Sequence, residues 1–243
     1  MRVGVTSRCF RDLSVREVVE KFRALGFRYM ELWCGHLDKQ ADFRQAKARD
    51  VAELRGVFEE HDIRVESYSV GSFQPGEETM IRRAFEFASH LGVDVVSGSA
   101  HPSLVEDIDR WCQEVGLRFA IQNQKGSLYQ RPSDFGDTLA QTSSFVGVDL
   151  DSAQFTAVGQ NPAEAAKALR SRIYHVHLID ILDPAQAKRT CVLGDGAARI
   201  HELLVGLMRQ GYTGLISIEH ASDPDPSDDL RESLRRAKEW LGV

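Results

Sequence analysis

The chain has 243 residues, 42% of them hydrophobic and 27% charged, which excludes a disordered chain or a fibre. Lys and Arg number 30 against 36 Asp and Glu, a formal charge of −6; that balance argues against a broad phosphate-tracking surface but allows a local basic patch. A core of this size needs no staples. The four cysteines, Cys9, Cys34, Cys112 and Cys191, lie far apart without a Cys-x-x-Cys pair. They read as free thiols in a reducing cytosol, not as a disulfide framework or a thiolate metal site. No apolar run approaches the roughly 20 residues of a membrane span. The start, Val3-Gly4-Val5, is strand-like and shows no signal peptide. The expectation is a soluble cytoplasmic protein with neither membrane nor nucleic acid as partner.

In chain order, strand-like runs fall at 2–6, 28–32, 63–68, 93–97, 117–122, 145–150, 173–178 and 215–219. Helix-like runs follow each, at 14–25, 44–61, 77–91, 103–115, 133–141, 162–170, 199–210 and 227–240. Eight strand–helix units of about 30 residues predict an α/β (β/α)8 TIM barrel, a single domain over 1–243. Gly26, Gly92, Gly116 and Gly211 each sit between a helix-like run and the next strand, where a left-handed residue ends a helix. Ser14 followed by Glu17 fits a capping box. A doubly wound open sheet also alternates strands and helices, but its Gly-x-Gly-x-x-Gly turn is absent after the first strand. Phe22, Phe85, Phe87 and Trp240 lie on helical runs and are expected to pack inward.

Alternate residues of a barrel strand point inward, and barrel active sites lie at the strands' C-terminal ends. Four strand ends carry polar residues: Ala120-Ile121-Gln122, Asp149-Leu150-Asp151, His175-Val176-His177 and Ser217-Ile218-Glu219. Large apolar residues hold one parity, so the other delivers Gln122, Asp151, His177 and Glu219 to one mouth. Two carboxylates, an imidazole and an amide oxygen suit Mn²⁺, Mg²⁺, Co²⁺ or Zn²⁺. Separate polar strand ends bonded to loops are the plain alternative. One layer below, His175 and Asp149 are expected to pair, since an unpaired buried charge is costly.

At these residues the chain resembles the sugar phosphate isomerase/epimerase family, the xylose isomerase-like TIM barrels. That group includes tagatose and psicose 3-epimerases, inosose dehydratase, hydroxypyruvate isomerase and, more distantly, endonuclease IV. The likeness runs through Gly4-Val5-Thr6-Ser7, the stretch from Leu25 to Trp33, Gly147 to Asp151, Ile173 to Asp180, Gly194-Asp195-Gly196 and Gly214 to His220. It implies Asp151, His177 and Glu219 as ligands of a divalent metal, with Glu219 also a proton-transfer group. The chain departs from the family at two points. Gln122 stands where a strand-5 Glu is usual, and Gln154 where a substrate-contacting His is usual. An amide oxygen can coordinate a metal but takes no proton at useful pH, so one acid/base group is missing. With one negative charge fewer, metal affinity is expected to be weaker or lost.

Three functions follow as expectations. The first is a metal-assisted isomerase, epimerase or lyase acting on a sugar, keto-sugar or cyclitol through an enediolate. Glu219 and His177 are its catalytic candidates. Gln122, Gln154, Trp33, His36, His101 and Arg199 are its substrate-binding candidates. His36, His101 and Lys125 could each supply a second acid or be solvated loop residues. Trp33 could stack a sugar or wall the barrel. Gly194-Asp195-Gly196 could cradle an anion or form a tight loop, with Arg199 able to hold a phosphate or carboxylate beside it. The acidic run Asp223–Asp229 suits the N-terminus of the last helix. A second reading is a non-catalytic barrel that binds a sugar-like ligand or a protein partner, which a Gln122–Glu219 hydrogen bond would favour. DNA repair is the third, disfavoured by the few histidines near the centre and by the charge. Relatives are often dimers or tetramers, so the resemblance admits a homo-oligomer.

Overall fold

A computed structural model describes residues 1–36, 46–186, 189–221 and 225–243. Eight parallel strands close a barrel: β1 (Arg2–Thr6), β2 (Tyr29–Trp33), β3 (Arg64–Phe73), β4 (Val95–Ala100), β5 (Arg118–Gln122), β6 (Val146–Asp151), β7 (Ile173–Leu178) and β8 (Leu215–Ile218). Neighbours in sequence are neighbours in space, and β1 pairs with β8 to close the ring. Around it lie α1 (Val15–Leu25), α2 (Ala48–Glu60), α3 (Glu78–Leu91), α4 (Val105–Val115), α5 (Gly136–Gln141), α6 (Ser152–Ala157), α7 (Pro162–Leu169), α8 (Ile200–Arg209) and α9 (Ser227–Leu241). No described helix is long and apolar enough to cross a membrane. The (β/α)8 expectation holds.

Local signals behave as their chemistry requires. The Ser14 side chain accepts from the Glu17 N–H, and the Glu17 carboxylate accepts from the Ser14 N–H at 2.8 Å. Gly26, Gly92 and Gly116 end α1, α3 and α4 in the left-handed conformation, and Gly211 shares it after α8. The outward parity is apolar: Phe119, Ile121, Val148, Leu150, Val176, Leu178, Ile216 and Ile218 are all buried. Phe119 stacks on Phe73 with ring centroids 5.8 Å apart. Phe22, Phe85 and Phe87 are buried and Trp240 packs partly buried on the same core.

Three local readings change. β3 runs to Phe73, past the predicted end at 68, because a register shift between Ser69 and Ser72 carries its pairing on to Ser99 and Ala100 of β4. β4 itself lies later than predicted, at 95–100. The helix α6 is too short for a periodic signal; Asp151 starts it by accepting from the Gln154 N–H at 3.0 Å. The acidic run at 223–229 lies partly outside the described residues, at 223–224, as do residues 44 and 45 of the second helical run.

The glycine loop at 194–196 does cradle an anion, and the anion belongs to the chain. Buried Asp180 accepts from the backbone N–H groups of Ile181, Gly194, Gly196 and Ala198 at 2.8–3.0 Å. A Cβ on Gly196 would stand 2.3 Å from Asp180 Oδ1, so this close approach requires glycine. The loop is therefore filled from within. Asp180→Ala leaves four N–H donors without their acceptor, and urea unfolding is expected to show a loss of about 3 kcal/mol.

Candidate active site at the C-terminal end of the barrel

Barrel interiors are usually filled by layers of branched apolar residues. Here part of the interior is ionic. Glu31 from β2, Asp149 from β6 and His175 from β7 are fully buried, and His177 is 4% exposed. A register shift between Val148 and Asp149 sets Asp149 opposite His175 and Asp151 opposite His177. All four then share the inward face.

The contacts form one network. His175 Nδ1 lies 3.0 Å from Asp149 Oδ1, the predicted pair, and its Nε2 lies 2.9 Å from Ser217 Oγ. His177 Nε2 meets Glu31 Oε2 at 2.6 Å, while its Nδ1 stands 2.9 Å from Asp149 Oδ2. That last contact is ionic without a well-directed hydrogen bond, since Asp149 Oδ2 has no hydrogen-bond partner. Ser97 donates to Glu31 Oε1 at 2.7 Å.

Above this network lie the residues singled out at the mouth. Gln122 Nε2 donates to Asp151 Oδ2 at 3.2 Å and stands 3.4 Å from His177 Nδ1. Asn123 locks Asp151 from behind: its Oδ1 accepts from the Asp151 N–H at 2.7 Å, and its Nδ2 donates to the Asp151 carbonyl at 3.1 Å. Buried Glu219 faces Arg8, with 3.6 Å between Oε1 and Nη1. Gln122, Asp151 and His177 are thus brought together. Asp151, His177 and Glu219 do not close into a compact ligand set, because His177 turns down toward Glu31 and Asp149. Among the described residues, Glu31, His175 and His177 bring ligand atoms within 4.8 Å of one another.

The remaining candidates spread outward. Gln154, in the first turn of α6, accepts from the Lys125 N–H at 3.0 Å and ties α6 to the loop after β5. Trp33 is half-buried, edge-on to His36 at 5.6 Å, with the guanidinium groups of Arg8 and Arg11 about 6 Å from its ring. His36 is buried and turns both ring nitrogens onto the carbonyls of Leu13 and Ser7. Its imidazole therefore does not face the mouth as a free acid. Exposed His101 caps a short turn through the Ser103 N–H, and exposed Arg199 pairs with Glu202 at 2.8 Å. His220 points away, with Nε2 3.0 Å from Ser233 of α9. Glu31, Ser97, Asn123 and Arg8 were not predicted. The available signal was Glu31 itself, a carboxylate between Met30 and Leu32 in an apolar strand, which has to find partners.

Carboxylate, imidazole and amide are donor types that a divalent cation accepts, although Asp151, His177 and Glu219 are not gathered around one point. An amide N–H₂ now occupies the point where Asp151 Oδ2 and His177 Nδ1 converge. The oxygen and nitrogen of an amide exchange places by rotation, and an oxygen there would complete a set of acceptors. Burial raises the Asp151 carboxyl to about 7 even though nearby His177 pulls it down. Through Nε2, Glu31 fixes the orientation of the ring, as a carboxylate does for a metal-ligating histidine.

Burial opposes both partners of the network, but pairing wins. Asp149 is pushed up by burial, yet His177 and His175 hold it well below its usual 3.8. Its stabilisation is present above that value and is lost on acidification. Burial pushes His177 down, but Asp149 and Glu31 hold it well above its usual 6.5. Its stabilisation is full below 6.5 and is lost as pH rises through the shifted value. In chelator-treated protein, urea midpoints should therefore fall at alkaline pH. His177→Gln should flatten that alkaline limb and shrink the acid limb to the part that His175 alone supplies to Asp149.

A family model described as xylose isomerase-like TIM barrel matches residues 19–240. The inosose dehydratase of Mesomycoplasma hyopneumoniae (strain 7448) is 26% identical over 149 residues, 54% of this chain and 49% of that protein. The chain thus spans about half the length of the curated relatives it matches. A solved D-psicose 3-epimerase, crystallised in the presence of D-fructose, superposes with TM-score 0.82 at 14% identity and full coverage of both chains. A D-tagatose 3-epimerase-like protein gives TM-score 0.80 at 21% identity, covering 100% of this chain and 97% of the other. At these identities the structural likeness establishes the fold.

Proposed function

Because the chain belongs to the xylose isomerase-like TIM barrel family, we propose that it is a divalent-metal-assisted isomerase, epimerase or lyase acting on a sugar, keto-sugar or cyclitol through an enediolate. The observation that carries this reading is the meeting of Gln122, Asp151 and His177 at the C-terminal ends of adjacent strands, over a buried network that orients His177. Asp151, His177, Glu219 and Gln122 would hold the cation. When bound, it supplies Lewis-acid stabilisation to the enediolate oxygens. Glu219 moves the proton next to the carbonyl. Gln122 takes none, so removal on one face with return on the other lacks its second base. One-base isomerisation or β-elimination suits the residues better, and the likeness to an inosose dehydratase supports the elimination arm. Trp33 and Gln154 border the space for substrate.

A non-catalytic, ligand-binding barrel is the second reading. It draws on the Gln122 amide, which already satisfies Asp151 at 3.2 Å. The Gln122–Glu219 bond that would favour it is replaced by Gln122–Asp151 and Arg8–Glu219 contacts.

Metal analysis separates the two. Titrating Mn²⁺, Co²⁺, Mg²⁺ and Zn²⁺ should stabilise the wild type by about 3 kcal/mol at a hundredfold excess over Kd, and Asp151→Ala should abolish the shift. No shift with any ion would favour the second reading. A cation must displace the proton that His177 carries above its usual range. Affinity should therefore rise with pH above 6.5, and calorimetry in two buffers should detect proton release. With a substrate identified among ketoses and inososes, Glu219→Gln should lower kcat about a hundredfold or more.

A further inference from the structure

A cavity of about 1130 Å³ opens at the end of the barrel opposite Asp151 and Glu219. Strand starts and the turns that precede them form its wall, including Arg2, Ser67, Arg118, Tyr174 and Tyr212, and His175 closes its inner end. The space is comparable to a small-molecule site, which is typically about 300–1,000 Å³.

The wall is cationic, in a chain of formal charge −6. Arg2, Arg118, Lys167, Arg170 and Arg209 line it against the two acids Glu66 and Asp94. Lys167 and Arg209 lie in the last turns of α7 and α8, where they offset the helix dipoles, so they carry no weight here. Three other groups do. The Arg118 guanidinium is held over the Tyr174 ring at 5.1 Å and, among the described residues, has no carboxylate partner. Arg2 pairs with Glu66 through Nη2 at 3.1 Å, but its buried Nε donates to nothing. Ser67 is fully buried, and its hydroxyl, on the same wall, has no partner. Guanidinium groups can only donate. Both nitrogens of His175 are taken by Asp149 and Ser217, so the inner end supplies no competing partner. The complement to these groups is an acceptor with negative charge.

We propose that this cavity is a second site, which takes a phosphate- or carboxylate-bearing small molecule through Arg2, Arg118 and Ser67. It is separate from the metal site proposed above and does not depend on it.

Calorimetric titration of the full chain with inorganic phosphate and with malonate tests this, at constant ionic strength set with chloride. Saturable binding is expected. It should weaken about tenfold in Arg118→Gln, the loss of one charge-assisted contact, and stay unchanged in Asp151→Ala at the other end. Tighter phosphate binding would identify a phosphorylated ligand, and tighter malonate binding a carboxylate one. Arg118 is exposed, so its variant should keep the wild-type unfolding midpoint. If it does not, Ser67→Ala, which removes only the hydroxyl, should weaken binding in its place. Absence of saturable binding by either anion overturns the proposal. So does equal affinity in the wild type and in the folded variant, or binding that only Asp151→Ala removes.

Discussion

Charges inside a barrel must be paired, and the site of this protein rests on how that pairing is met. Glu31, Asp149, His175 and His177 sit where apolar layers usually pack. Each alone would be expensive to bury. Together they satisfy one another through contacts of 2.6–3.0 Å, with Ser97 and Ser217 completing the set. A buried ionic network of this kind is weak evidence for stability, since well-packed apolar residues often do as well. Its clearer consequence is directional. The ring of His177 is fixed in one orientation, and the mouth of the barrel is built on it.

Above that network the chemistry is asymmetric. Of the four groups at the mouth, Glu219 is a carboxylate beside a partly exposed arginine, and Asp151 is a carboxylate that also caps α6. Gln122 is an amide that cannot titrate. Its amide N–H donates to Asp151, so that carboxylate has a neutral partner on this side.

The Asp180 loop applies the same rule outside the barrel. Backbone N–H groups turned inward need an acceptor. At Gly194-Asp195-Gly196 the carboxylate of Asp180, two residues beyond β7, supplies it. The glycines serve that close approach, and the anion the motif points to is internal.

The barrel was legible in the sequence because strand parity, glycine helix ends and caps act over a few residues. The alternation of large apolar and small or polar residues in β5 to β8 decided which side chains face inward. It sent Gln122, Asp151 and His177 to one end and set Asp149 beside His175. The sequence could not decide which partner each inward group would choose. That choice depends on distances across the barrel: Glu31, from β2, reaches His177, 146 residues away. Nor could it decide that Asp180 fills the glycine loop, or that His36 turns onto backbone carbonyls. Local pattern determines the face on which a residue lies. Only closure of the ring determines what stands opposite it, because pairing energies of buried charges fall off over a few ångströms and the chain brings those atoms together only when it is folded.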